Sequence, residues 1–440
     1  MDPANFIDPN LTAPDLLVLN NLLGDADSAS RQLGEKESAG SKANGARLRK
    51  PESTQSGAAS DEETIQKLKG FNNATSAEFE PTVFVTWDMK DLAKLPSILR
   101  SLLYSYVNIA RQIVRVETDV VMLTHLILYF STSVPSAILL FRPGYFNWFH
   151  GIAHWIMQTY YVGTYTLMMH QHIHMGGILA KKPWCAWFDA LFPYITNPLM
   201  GHTWNSYYYH HVKHHHVEGN GPDDLSSTIR YQRDELFDFL CYVGRFFFFI
   251  WFELPLYFWR KGKTSMALKA AFWEVGNYVV LFVLWKYVNW RATLCVFVLP
   301  LLQLRVGLMV GNWGQHAFVD EVDPNSDFRS SITLIDVPSN RFCYNDGYHT
   351  SHHLNPLRHW REHPVSLLQQ KERYAAEHAL VFRNIDYIMI TVRLMRKDYK
   401  YLAKCLVPMG DQVGMTMDER ADMLRTKTRR FTEKDVQAKF

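Results

Sequence analysis

The chain has 440 residues, 48% apolar and 14% aromatic, yet its mean hydropathy is only -0.16; the apolar residues are therefore gathered in segments, as in a membrane protein with polar tails. Lys and Arg number 46 against 43 Asp and Glu, a formal net charge of +3, which argues against a nucleic-acid partner. Five cysteines without a CxxC pair suggest neither a zinc knuckle nor a disulfide framework.

The first thirty residues carry Asp and Asn but no basic stretch followed by an apolar run, so no cleaved secretory signal is expected. Residues 24–64 are rich in Ser, Gly, Ala and charge, too poor in large apolar side chains to offset ordering entropy. The reading for 1–80 is a largely disordered tail. Within 81–118, Leu92, Leu95, Leu99, Leu102, Leu103, Tyr106 and Ile109 recur at helical spacing between basic residues. That pattern suits an amphipathic helix at the membrane surface, and a soluble packing helix equally.

Residues 119–360 read as a membrane domain. Apolar runs at 119–141 and 147–169, separated by Pro143 and Gly144, form one transmembrane hairpin; runs at 269–288 and 292–311, joined by Asn289, Trp290 and Arg291, form a second. The aromatic segment 236–259 holds Asp238, Arg245, Glu253 and Pro255. If it crossed the bilayer, His211 and His349 would face opposite sides, so we place it in the interface. Residues 361–440 form a helical C-terminal extension. Basic residues crowd the tails and the segment after 180, while the two hairpin turns hold only Arg142 and Arg291; the positive-inside rule then puts both termini and all histidine clusters in the cytosol, which fits the endoplasmic reticulum. The expected fold is all-α and integral to the membrane: four transmembrane helices in two hairpins, with a cytosolic helical cap holding a di-metal site.

The 19 histidines cluster. HQHIH spans 170–174, HHVKHHH spans 210–216, NWGQH spans 312–316 and HTSHH spans 349–353, each just outside an apolar run or between runs. On an α-helix, positions i, i+3 and i+4 share a face, so His211, His214 and His215 converge, as do His349, His352 and His353. His170 with His174, and Asn312 with His316, are i, i+4 pairs at helix ends. One such cluster could equally be a basic patch for lipid headgroups; four clusters on one membrane face argue for metal. Neutral imidazole suits Zn, Cu, Fe and Ni, and about nine candidate ligands exceed one tetrahedral zinc site, which makes two metals the natural count.

The order, spacing and flanking spans of these motifs, over about 119–360, resemble the membrane fatty-acid desaturase and hydroxylase superfamily, whose boxes read HxxxH, HxxHH and HxxHH. The resemblance implies that His170, His174, His211, His214, His215, His316, His349, His352 and His353 are ligands to two irons, and that Asn312 holds iron through a water. It implies O2 as co-substrate, a membrane lipid or acyl-CoA as substrate, and hydrogen removal from an unactivated carbon chain. There is no His-Pro-Gly-Gly signature of a fused cytochrome b5 domain, so a separate donor such as cytochrome b5 or ferredoxin is expected. His172, His210 and His216 are surplus: His172 could replace His170, and the second box could slide by one. Glu218, Asp223 and Asp224 either orient ligand imidazoles or form a solvated acidic turn. A hydroxylase of the same fold is the nearest alternative. A membrane metal-binding or transport protein is a third, disfavoured because the ionisable residues gather beyond the span ends.

Overall fold

The computed structural model describes residues 2–40 and 54–440. The chain is mostly helical over these, with few strands. Helices α1 (Ala13–Gly40) and α2 (Thr54–Asn72) set Val18, Leu19 and Leu22 against Ile65, Leu68 and Phe71, in one apolar cluster with Phe328, Tyr348 and Val365. The expectation of a disordered tail is thereby corrected for the described residues. The polar window that suggested disorder is flanked by the apolar residues that anchor both helices. Residues 41–53 of that tail lie outside the described residues.

A short hairpin, β1 (Thr82–Phe84) and β2 (Trp87–Asp88), leads into α3 (Ser97–Ala110). Helix α3 buries Val107 and Ala110 but leaves Ile98, Leu99, Leu102 and Ile109 exposed, an outward apolar face suited to lipid. Helix α4 (Val120–Phe141) is interrupted at Thr132, because Pro135 has no N–H to give to the preceding turn. The Thr132 hydroxyl donates to the Leu128 carbonyl there at 2.6 Å. Helix α5 (Trp148–Met175) starts at Asn147, whose side chain accepts from the His150 amide. It is followed by α6 (Pro183–Leu199), α7 (Leu236–Arg260), α8 (Thr264–Val288) and α9 (Trp290–Gln315). Asn289 makes the turn between α8 and α9, its side chain capping the Ala292 amide.

Among the described residues four helices are long and apolar enough to cross a membrane: α4, α7, α8 and α9. Helix α5, expected as the second span, is not among them. Its 28 residues extend about 42 Å at the α-helical rise, but its first half carries His150, His154 and Gln158. These side chains are satisfied against α4: Ser136 Oγ lies 2.8 Å from both His150 Nε2 and His154 Nδ1, and Ser133 Oγ donates to Gln158 Oε1 at 3.0 Å. Helix α7, expected in the interface, has the length and composition of a span. Both of its ends nevertheless reach one polar loop. Tyr242 OH donates to the Ser226 carbonyl at 3.2 Å, and beyond the other end Lys261 Nζ donates to Asp223 at 2.8 Å. Between them Tyr242, Phe246, Ile250, Leu254 and Tyr257 form the buried stripe, whereas Phe248, Phe249 and Trp251 face outward. Near both ends, therefore, α7 is held to the same polar loop.

The cap also holds a three-stranded sheet that the helical reading of the C-terminal extension did not anticipate. Strand β3 (Ile332–Ile335) pairs in parallel with β4 (Leu380–Arg383), which pairs antiparallel with β5 (Leu406–Val407). All four residues of β3 and all four of β4 are buried, so these strands lack the alternation that marks a half-exposed strand. Strand β3 positions the short helix α10 (His349–Leu354). The connection passes Gly347, where a Cβ would collide with the Asn340 side chain and the Leu334 carbonyl. The buried Asp15 of α1 accepts from Tyr348 OH at 2.7 Å and from Asn340 Nδ2 at 2.9 Å, tying the N-terminal helix to the third histidine box. If α1 is part of the cap core, Leu19→Ala should destabilise the protein by about 2–5 kcal/mol. The change would be read as a lower thermal midpoint of the detergent-purified chain; an unchanged midpoint would mean that α1 is not packed.

Candidate metal centre

The histidines come from four places in the chain. His170 and His174 sit one turn apart near the end of α5, and His316 follows α9 directly. His349, His352 and His353 are on α10. The second box, Tyr208–His215, is π-helical: the His216 amide donates back to the His211 carbonyl, an i→i+5 bond. In such a turn residues four and five apart share a face, where an α-helix would align residues three and four apart. His211 therefore lines up with His215 and His216, and His214 turns away.

Two groups of imidazoles result. His170, His174, His211, His216 and His352 form the first; His215, His316, His349 and His353 form the second; within each, the candidate ligand nitrogens all lie within 4.8 Å of one another. Nearest Nε2 to Nε2 separations are 3.0 Å for His170 and His352, 2.8 Å for His352 and His216, and 3.1 Å for His216 and His211. In the second group they are 3.2 Å for His349 and His316 and 3.1 Å for His353 and His349. Nitrogens about 3 Å apart are what adjacent ligands on one ion would show at metal–nitrogen distances of about 2.0–2.1 Å. The two groups adjoin, because His215 and His216 are consecutive and the rings of His216 and His353 are 5.0 Å apart.

The chemistry of the donors fits a metal as well. Both nitrogens of His174 are buried without a hydrogen-bond partner, as is Nδ1 of His349, an arrangement that is costly unless something else engages them. Burial, with the neighbouring imidazoles, holds His211, His216, His349 and His352 well below the ordinary histidine range; they are neutral near pH 7, the form that binds metal. Three of the four Nδ1 atoms of the second group are held from behind. His215 Nδ1 lies 2.8 Å from Asp224 Oδ2, His316 Nδ1 lies 2.7 Å from the Ser330 carbonyl, and His353 Nδ1 lies 3.5 Å from Asp327. Each contact favours the Nδ1–H tautomer and leaves Nε2 as the ligand atom. Burial would raise the Asp224 carboxyl, but His215 and His214 facing it hold it below the usual carboxylate range.

Eight of the nine histidines proposed from the sequence thus meet in the two groups. His214 does not: its Nε2 accepts from the Leu225 amide at 3.2 Å, and it groups with His210 and Asp224. His216, surplus to the sequence pattern, takes the place beside His211. His172 stays outside, with Nε2 3.0 Å from the Asp189 carbonyl. Asn312 Nδ2 is committed to the Ser226 carbonyl and Tyr242 OH at 2.8 and 2.7 Å, leaving its carbonyl oxygen free beside the second group. Of the acidic candidates, Asp224 orients a histidine, whereas Glu218 accepts from Tyr257 OH and Asp223 from Lys261. Asp327 and the Ser330 carbonyl carry no sequence signal, since their role depends on a tertiary approach.

A cavity of about 370 Å³ opens onto both groups. Its walls are α5 around Val162, Gly163 and Leu167, α9 around Leu304, Gly307 and Leu308, and Phe246 of α7; His170, His211, His215, His349 and Asn312 close it. Asp346, on the wall beside His349, has its carboxyl pushed up to about 7 by burial, against the Gln315 amide that donates to it. An apolar slot ending on clustered imidazoles can hold a hydrocarbon chain against a metal pair.

A family model described as fatty acid desaturase matches residues 146–380, more than half of the chain. No curated protein and no solved structure matches it.

The π-helical register can be tested by metal content. His216→Ala should lower the metal bound per chain, whereas His214→Ala should leave it near the wild-type value. Asp224→Asn, which keeps the shape but loses the charge behind His215, should weaken metal affinity about 10–100-fold. Elemental analysis of the purified variants decides, and metal loss in His214→Ala with retention in His216→Ala would restore the α-helical register.

Proposed function

Because the chain belongs to the fatty acid desaturase family, and is therefore a membrane oxidoreductase of the desaturase or hydroxylase type, we propose that it is an O2-dependent fatty-acyl lipid desaturase with two irons. Its ligands in this reading are His170, His174, His211, His216 and His352 for one ion, and His215, His316, His349 and His353 for the other. Asn312 reaches the second ion through a water. The carrying observation is the convergence of nine imidazoles from separated stretches on the end of one apolar cavity.

Bound iron, with O2 and electrons from a separate donor such as cytochrome b5 or ferredoxin, supplies the oxidising power to take hydrogen from an unactivated C–H bond. The protein's own residues do the rest. Val162, Leu167, Leu304 and Leu308 hold the chain and exclude water. Gly163 and Gly307, without side chains, leave it room against α5 and α9. Asp224, Ser330 and Asp327 keep the Nε2 atoms of His215, His316 and His353 aimed at one point. Gln315 and Asp346, hydrogen-bonded to one another, line the same cavity as His349 and are able to hold or pass a proton there. The substrate in this reading is a membrane lipid or acyl-CoA; both termini and the histidines are on the cytosolic side of the endoplasmic reticulum, a reading that the basic tails support.

Lipid mass spectrometry of a host expressing the wild-type chain should show a species short of two hydrogens, which disappears with His352→Ala at equal expression. A product gaining oxygen instead would make the enzyme a hydroxylase, and unaltered lipids at good expression would defeat both.

A further inference from the structure

Helices α8 and α9 bury an ion pair at membrane depth. Arg305 of α9 is 8% exposed and Glu274 of α8 is 5% exposed, and they bond through Arg305 Nη2 and Glu274 Oε1. Thr203 Oγ1 donates to Glu274 Oε2 at 2.6 Å and Tyr278 OH to its Oε1, so the carboxylate is fully engaged. The guanidinium is not: Nη1 is buried with no partner. A lone guanidinium nitrogen in apolar surroundings is costly, and ionisable residues inside spans are expensive enough to suggest a use.

Arg305, Glu274 and Thr203 line a second cavity of about 50 Å³ between α7, α8 and α9. It adjoins the larger one: Tyr207, His210, Phe246, Leu304 and Leu308 line both. His210, at this boundary, also has a buried Nε2 without a partner. Arg305 lies seven residues before Asn312, about 10 Å along α9.

We infer that this second cavity binds a small uncharged oxygen group, a hydroxyl or a carbonyl, of the lipid substrate, and that Arg305 is a positioning residue that sets which carbons reach the histidines. The inference rests on the lipid-oxidase reading given above. Three properties select the ligand. The free Nη1 is a donor and calls for an oxygen acceptor. Glu274 already neutralises Arg305, so an anionic head would bring an uncompensated negative charge beside the pair. The cavity is walled by Phe246, Ile250, Leu254 and Leu301 beside the ion pair, a lining that suits a polar group carried on a hydrocarbon chain rather than a hydrated headgroup. A terminal methyl would leave Nη1 unsatisfied.

The test is equilibrium binding, read without turnover. Hexadecanol, methyl hexadecanoate, hexadecane and hexadecanoate each compete at pH 8 for the detergent-purified full chain against one fluorescent acyl probe. Wild type should prefer the alcohol or the ester over the alkane by about tenfold, the worth of one charge-assisted hydrogen bond, and the anion should bind more weakly than the preferred neutral ligand. Which of alcohol and ester binds more tightly distinguishes hydroxyl from carbonyl. Arg305→Lys keeps the charge opposite Glu274 but lacks the free fork nitrogen, and should erase the preference while alkane affinity stays within twofold. Ala270→Val, one turn before Glu274 on the same wall, fills the second cavity while keeping both charges, and should do the same if the lysine variant does not fold. Equal affinity for alcohol, ester and alkane in wild type would mean that the cavity holds water only. Tightest binding of hexadecanoate would make it an anion site, and a preference that survives either substitution would place the oxygen group elsewhere; each of these results overturns the inference. A polar preference in protein that yields no oxidised lipid would count against the lipid-oxidase reading alone, whereas new double bonds without the preference would defeat only this inference.

Discussion

Nine imidazole nitrogens gathered in two groups, within 4.8 Å of one another in each, form the constraint around which the rest of this molecule is arranged. A buried nitrogen lone pair without a donor is destabilising, and close neutral imidazoles repel protonation of one another. The metals that suit such a donor set would recover that cost on binding, but the apo chain must hold the rings together by other means. It does so from behind the rings, through Asp224, Ser330 and Asp327, and through the packing of α10 between β3 and the N-terminal helices.

This explains why segments far from the metals in sequence matter to them. Asp15, 333 residues before Tyr348, fixes the residue that precedes the third histidine box. Asp119, just before α4, accepts from Trp360 Nε1 at 3.1 Å, so the chain after α10 is tied to the membrane helices. The cap is thus braced by the N-terminal helix and by the start of α4. Helix α7 is held by the loop that carries Asp223 and Ser226, and its outward face is an aromatic surface for lipid.

The apolar cavity and the buried ion pair belong to the same design. Desolvation that makes the slot fit for a hydrocarbon also makes any polar group within it strongly directional, because no water competes for its hydrogen bonds. Arg305 and Glu274 cancel one another's charge, yet their hydrogen-bonding capacity is unequal, and the surplus lies on the guanidinium. A hydrocarbon alone offers few features by which to fix its register along a slot; one hydrogen bond at a set distance supplies it.

Local chemistry was enough to read the membrane class, the family and most of the histidine set. Imidazole spacing at 170–174 and 349–353 and apolar runs of membrane length are properties of contiguous residues; topological parity put 236–259 in the interface, whereas its helix has the length and composition of a span. Three features depended on tertiary contact. The π-helical turn that brings His216 rather than His214 beside His211 is one, since the spacing HHVKHHH permits either register. The order of the N-terminal helices comes from Val18, Leu19 and Leu22 finding partners hundreds of residues away, which a polar local window conceals. The short sheet of the cap is buried on both faces and so shows no alternation. Sequence by itself determined which side chains could serve as ligands, because that follows from their chemistry; only the folded chain decided which of them point at a common centre, because a single residue of helical register rotates a side chain to another face.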